Sequence, residues 1–473
     1  MSPNRGELGA SALSGAAGWA RFSDGAPVQY ATPVGAAVAG ASRPGAAAPN
    51  LTVDTDGAVA FGLFSTMLFI PQLGTLGALL FVVLTGGYAA FSWKRLYAVF
   101  RPRAFLLIIP ILFLFSTVWS ERPAETLKYS MEFCVTVGMA LLLSDSRRPK
   151  AVLLGVFLAF AGYMFASIAF GQLVQIGNDV GNRAFSGLNS GKNLLADMAS
   201  LGFLISTAVF FSGIEDRKPL RLLFALVAAG AEMYAVVQAR SAGALLGLGL
   251  AVLAFIFFLA VRQSILAVRA TMTCVLGLCL IAAALSYRTL SGALIDAGAR
   301  FFDKDPTLTG RTYLWQRAAD LIAEKPVFGK GFSAFWVQGN TDAEGLWRYA
   351  HIASREGFNF HNTFIDLLVQ VGWFGLVVVA CIVVVALGRL IVRFVAKPSL
   401  THCFWLTLMV YELVRTPIEY IGFTEFYYSS VMVFIALGSA FTARQMDSQS
   451  PPFAPNALRG AGPGFRKADQ TAP

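Results

Sequence analysis

The chain alternates long apolar runs with short polar breaks. The runs fall at about 57–71, 73–91, 103–119, 124–143, 149–172, 190–212, 219–238, 241–261, 264–286, 361–388, 400–415 and 424–442. A helix of this length crosses a hydrocarbon core of roughly 30 Å, and none of the runs has the period-two alternation of a barrel strand. The pattern therefore predicts an all-α polytopic membrane protein of about twelve transmembrane helices, with one long loop between spans nine and ten. Pro71 and Gly74 divide the first two runs, which leaves open two helices or one broken segment.

Composition agrees: 56% of the 473 residues are hydrophobic and 14% are charged, far more apolar surface than one soluble core buries. The net charge of +10 is spread through short loops, so it reads as the positive-inside signal and not as a nucleic-acid surface. With both termini cytoplasmic, every inner loop is basic: Lys94 to Arg103, Arg147 to Lys150, Arg217 to Arg221, Arg262 to Arg269, and Arg389 to Lys397. Residues 1–56 and 445–473 then read as disordered cytoplasmic tails, the first rich in Ala, Gly, Ser and Pro and without the continuous apolar stretch of a cleaved signal peptide. Between them lie spans one to nine (57–286), an extramembrane loop domain (287–360) and spans ten to twelve (361–444). The five cysteines sit in or beside apolar runs with no pairing or metal-ligand spacing.

What topology does not explain is a set of charges on the outer side. His361, one of only three histidines, opens span ten, and at helical spacing Asn362, Asp366 and Gln370 share a stripe that faces the bundle interior or a wet cavity. Gly372 and Gly375, one turn apart, would admit a neighbouring helix. Arg183 and Lys192 stand at the entrance to span six, and Arg240 in the turn between spans seven and eight. Each has a plain alternative: an interfacial cap for His361, a solvated loop charge for Arg183, a snorkelling anchor for Lys192, a pairing of Arg240 with Glu232. Together they suit an anion, because guanidinium groups grip phosphate oxygens in bidentate fashion. Near span eleven, Glu419 is a rival base or the i, i+4 partner of Arg415. Leu314, Trp315, Ala318, Leu321 and Ile322 line one face of an amphipathic helix between Arg311 and Glu324. It is either a packed lid or, with Trp336, Trp347 and Tyr349, a stacking floor for sugars. Asp303 and Asp305 imitate a nucleotide-sugar metal motif on the wrong side of the membrane.

The segments HNTFIDLLVQVGWFG, GRTYLWQRAADLIAEKPVFGKGFSAFW, RAFSGLNSGKN and ARSAG together resemble the bacterial O-antigen ligase and polysaccharide polymerase superfamily over roughly residues 180 to 390. Two positions depart from it: Gly191 where many relatives have His, and Ala239 where Ser is usual. The resemblance implies a multi-pass protein of the bacterial inner membrane, its active site and long loop facing the periplasm. It implies inverting transfer of a glycan from undecaprenyl diphosphate to a sugar hydroxyl, with no cofactor and no metal. His361 would be the catalytic base, with Arg183, Lys192, Arg240 and Arg311 on the diphosphate. Asn362, Asp366, Trp315, Trp336, Glu419 and Arg415 would be supporting or acceptor-side residues. The acceptor would be another lipid-linked glycan for a polymerase or a lipid A core for a ligase, and a flippase and chain-length regulators would be partners along with membrane lipids. The segments sit closer to exopolysaccharide polymerases. A lipid-linked sugar flippase or secondary transporter is the alternative class, disfavoured because the long loop follows span nine and does not join two equal halves.

Overall fold

In the computed structural model, residues 54–175, 182–285, 309–355 and 357–442 are described. The reading of residues 1–53 and 445–473 as tails, of Asp303 and Asp305, and of 287–308 lies outside them.

Helices occupy all twelve apolar runs. They are α1 (Thr55–Leu68), α2 (Thr75–Phe91), α3 (Ala104–Phe115), α4 (Pro123–Ser144), α5 (Pro149–Phe170), α6 (Lys192–Glu215), α7 (Pro219–Gln238), α8 (Ala242–Val261) and α9 (Leu266–Leu285). After α10 (Thr309–Glu324) and α11 (Thr341–Tyr349) in the long loop come α12 (Thr363–Ala396), α13 (Leu400–Arg415) and α14 (Tyr428–Ser439). Among the described residues, seven segments are long and apolar enough to cross a membrane: Trp93–Val118, α4, α5, α6, α7, α8 and α12. This is a multi-pass membrane protein. An antiparallel ribbon, β1 (Gln172–Gln175) with β2 (Arg183–Gly187), joins α5 to α6.

The first two runs form a hairpin of two helices, not one broken segment, since α1 packs on α2 and the Tyr88 hydroxyl donates to Asp56 at 2.6 Å. The loops expected to be cytoplasmic gather at one end of the bundle and bond to each other. Lys150 and Arg262 both reach Glu215 (2.9 and 2.6 Å), and Arg269 donates to the Val395 carbonyl at 2.7 Å. Arg103, counted above among the inner-loop charges, is fully buried there. It donates to Ser144 (3.0 Å), Asp145 (2.9 Å) and the carbonyls of Val99 and Gly438 (2.8 and 3.2 Å).

α12 is broken at Gly372, whose φ of 62° and ψ of −169° belong to a region open essentially to glycine alone. The freed backbone groups are taken up by the strap Pro326–Gly331 of the long loop. Lys330 and Gly331 donate to the carbonyls of Val369 and Gln370 (both 2.8 Å), while Trp373 and Phe374 donate to Pro326 and Val327 (2.9 and 3.0 Å). Non-helical backbone at this depth is tolerated because protein, not lipid, satisfies it. The expectation that Gly372 and Gly375 admit a neighbouring helix is thus corrected: the strap lies against Gly372, and a Cβ on Gly375 would strike Val371 of its own turn. A side chain at Gly372 would collide with the Val327 carbonyl. Gly372→Ala should therefore cost at least about 1–3 kcal/mol, seen as a lower melting temperature of the detergent-purified protein.

The long loop has its own small core. Leu314, Ala318 and Leu321 of α10 pack with Phe335, Leu346, Trp347 and Phe360, all 4% exposed or less. Trp347 is enclosed, and Trp336 packs on Phe335, Trp347, Phe358 and Phe360. Of the aromatic residues weighed as a sugar floor, Tyr349 is the one substantially exposed, paired with Tyr313 at 4.3 Å between ring centroids.

Candidate active site

The tripeptide His361-Asn362-Thr363 organises one half of the site. His361 lies before the helix, not in it, with a left-handed φ of 51°. Asn362 is the N-cap: its Oδ1 accepts from the backbone of Phe364 and Ile365 at 3.0 and 3.2 Å, and its Nδ2 donates to the Pro417 carbonyl at 3.0 Å. The expected stripe of Asn362, Asp366 and Gln370 is therefore corrected at its first member: helical periodicity begins only at Thr363, while Asp366 and Gln370 share a buried face of the helix as expected. The Thr363 hydroxyl donates to the Glu419 carbonyl (2.7 Å) and accepts from the Ile421 backbone (3.0 Å), which pins the 416–421 loop to the start of α12.

That loop delivers Glu419 to the histidine. His361 Nδ1 and Glu419 Oε2 are 3.1 Å apart, and the other carboxylate oxygen accepts from Arg311 Nη2, also at 3.1 Å. Arg311 Nη1 donates to the Ile418 carbonyl at 2.6 Å. Burial acts to raise the Glu419 carboxyl, but the interaction with His361 and the positive charges of Arg311 and Arg415 outweigh it and hold the group below its ordinary range. A carboxyl lowered by folding stabilises the protein above its ordinary pKa of 4.5 and loses that contribution as pH falls through the folded value. Wild-type protein should accordingly lose melting temperature below about pH 5 more steeply than Glu419→Gln, which has no proton to take up there.

Arg415 does not pair with Glu419, which corrects the i, i+4 expectation. It is buried against Asp197 of α6, whose oxygens also accept from Tyr411 (2.9 Å) and Tyr428 (2.7 Å), and Glu412 lies 3.7 Å from the same guanidinium. Arg415 is thus a strut between helices. Asp197 escaped the sequence reading, although an acid within an apolar helix is a signal in itself.

The other half of the site is cationic. Arg183 is exposed at the end of β2 opposite Gln175, and Lys192 is the first residue of α6. Arg240 has a left-handed φ of 50° in the turn between α7 and α8. Lys192 Nζ donates to the Arg240 carbonyl at 3.1 Å, and Arg240 Nη1 donates to Asn182, the residue before Arg183, at 2.9 Å. The alternative pairing of Arg240 with Glu232 is not what forms, since Glu232 is buried and accepts from Ser206 at 2.6 Å. The two halves adjoin. A Cβ placed on Gly243, at the start of α8, would lie 3.0 Å from Ile418 of the Glu419 loop. Arg311 stands with Glu419, the partner of His361.

Residues 222–380 match the O-antigen ligase family, Wzy_C. The chain is similar to the O-antigen ligase superfamily. The matched stretch runs from α7 into α12 and carries Arg240, Arg311, Trp315, Trp336, His361, Asn362 and Asp366. Arg183, Lys192, Arg415 and Glu419 lie outside it. The chain is also 28% identical over 369 residues to the exopolysaccharide production protein ExoQ of Rhizobium meliloti (strain 1021). That alignment covers 76% of this chain and 79% of ExoQ. The superfamily resemblance drawn from the motifs is borne out by both.

Proposed function

We propose that the protein is a membrane glycosyltransferase that polymerises lipid-linked oligosaccharide repeat units into an exopolysaccharide. The donor is a glycan on undecaprenyl diphosphate, and the acceptor is a sugar hydroxyl of a second lipid-linked chain. The observation that carries this reading is the His361–Glu419–Arg311 triad beside the Arg183, Lys192 and Arg240 cluster, on the side of the bundle away from the basic loops. The positive-inside rule makes that side periplasmic.

Glu419 at Nδ1 favours the tautomer protonated there, so Nε2 is the nitrogen that accepts the hydroxyl proton. The acceptor oxygen bonds to the anomeric carbon as the bond from that carbon to the diphosphate oxygen breaks, with inversion. The departing charge is met by Arg183, Lys192 and Arg240, which gives the chain's own cations the part a metal plays in other transferases. Arg311, committed to Glu419 and Ile418, steadies the base and is not a phosphate clamp. The name of the R. meliloti relative supports an exopolysaccharide product.

The test is purified protein in liposomes with a defined undecaprenyl diphosphate-linked repeat, in the presence of chelator. A ladder of lengthened lipid-linked glycan is expected. Transfer of a single glycan to added lipid A core and to nothing else would make it a ligase, and no transfer with substrate crossing the bilayer would make it a transporter.

A further inference from the structure

The base proposed above sits in an unfavourable backbone conformation, and what holds it there is the residue before it. Phe360 is fully buried, its ring against Phe335 and Trp336 at 5.3 and 4.9 Å between centroids. Both of its backbone polar groups are taken by side chains. Its N–H donates to Asp366, 3.1 Å from Oδ2 and 3.4 Å from Oδ1, and its carbonyl accepts from Trp315 Nε1 at 2.8 Å. Asp366 is 1% exposed, on the inner side of the first turn of α12, while Trp315 comes from α10 of the outer loop. Asn359 adds a third tie by accepting from the His361 backbone at 2.8 Å. A left-handed non-glycine residue is strained, and such strain persists only where its surroundings over-determine it.

We propose that Asp366 and Trp315 are positioning residues that clamp the backbone of Phe360, one at the peptide before it and one at the peptide after it, and so aim the His361 imidazole, neither of them touching substrate. This deepens the reading of His361 as base and rests on it for its catalytic consequence. It also assigns a task to α10, which brings one jaw of the clamp from the long loop.

The clamp requires an acceptor at Asp366, not a negative charge, and a donor at Trp315, not merely a ring. Asp366→Asn keeps a carbonyl oxygen for the Phe360 N–H, whereas Asp366→Ala does not; Trp315→Phe keeps the bulk and removes the donor. In liposomes with the lipid-linked repeat, Asp366→Ala and Trp315→Phe should lower kcat between about 10- and 100-fold, the scale of a misplacement of roughly 1 Å, with KM for the donor within about twofold. Asp366→Asn should stay within about threefold of wild type. If Asn is as inactive as Ala, the charge is what matters and the proposal falls.

A readout independent of transfer is nuclear magnetic resonance of 15N-histidine-labelled protein in nanodiscs, where three histidines give three pairs of ring nitrogen signals. Trp315→Phe should shift or broaden the His361 signal and leave those of His351 and His402 in place. An unmoved His361 signal would overturn the clamp whatever the activity. A moved signal with a His361-independent rate would keep the clamp and refute the base.

Discussion

His361→Ala is expected to lower glycan transfer by about 10²–10⁴-fold, the usual contribution of a positioned general base, while the protein still inserts and purifies. The expectation follows from geometry: the imidazole is held through Nδ1 by Glu419 and remains partly open, with 27% of its side chain exposed. Alanine is not the cleanest replacement at a φ of 51°. Asparagine tolerates the left-handed region better, so His361→Asn should match the rate loss with a higher yield of folded protein. The measurement is single-turnover consumption of a labelled lipid-linked repeat by equal amounts of reconstituted protein. Transfer at the wild-type rate by the Asn variant would remove His361 from the chemistry and return Glu419 to consideration as the base.

The second large effect is on stability. Arg415→Ala should cost about 3–5 kcal/mol, the range for breaking a buried ion pair from one side. Its removal leaves two carboxylates, Asp197 and Glu412, enclosed among α6, α13 and α14 without the cation they share. Asp197→Asn should be milder, since Glu412 remains near the guanidinium and the amide can still meet Tyr411 or Tyr428. The fraction of monodisperse protein surviving a heat step in detergent ranks the two. If Asp197→Asn proved the more damaging, the carboxylate and not the arginine would be the hub. Activity should fall with Arg415→Ala as well, because losing the side-chain strut loosens the end of α13, from which the Glu419 loop hangs with its backbone N–H on the residue 415 carbonyl at 2.9 Å.

Much of this was legible in the sequence, and the parts that were not have common causes. Apolar runs report helices because each span must satisfy its own backbone, so all twelve positions hold a helix. The histidine and the three outer cations stood out because topology had no use for them. Their partners did not: Glu419 follows His361 by 58 residues, and no local pattern tells that it would turn to His361 and Arg311 instead of to Arg415 one turn away. The imagined stripe through Asn362 failed because an asparagine before a helix is worth more as a cap than as its first residue. The tryptophans of the long loop read equally as core or as sugar platform, since exposure is a tertiary property. The break at Gly372 looked like a small-residue helix contact because glycine serves both, and only the returning strap tells them apart.

That strap sets where the protein can be cut and rejoined. Residues 326–331 hydrogen bond on both sides of Gly372, so the first nine residues of α12 are tied to the long loop as well as to the helix they begin. A chimaera that grafts a relative's outer loop and stops at His361 would import one half of a bonded surface and leave its mate behind. The transplantable module extends through Phe374.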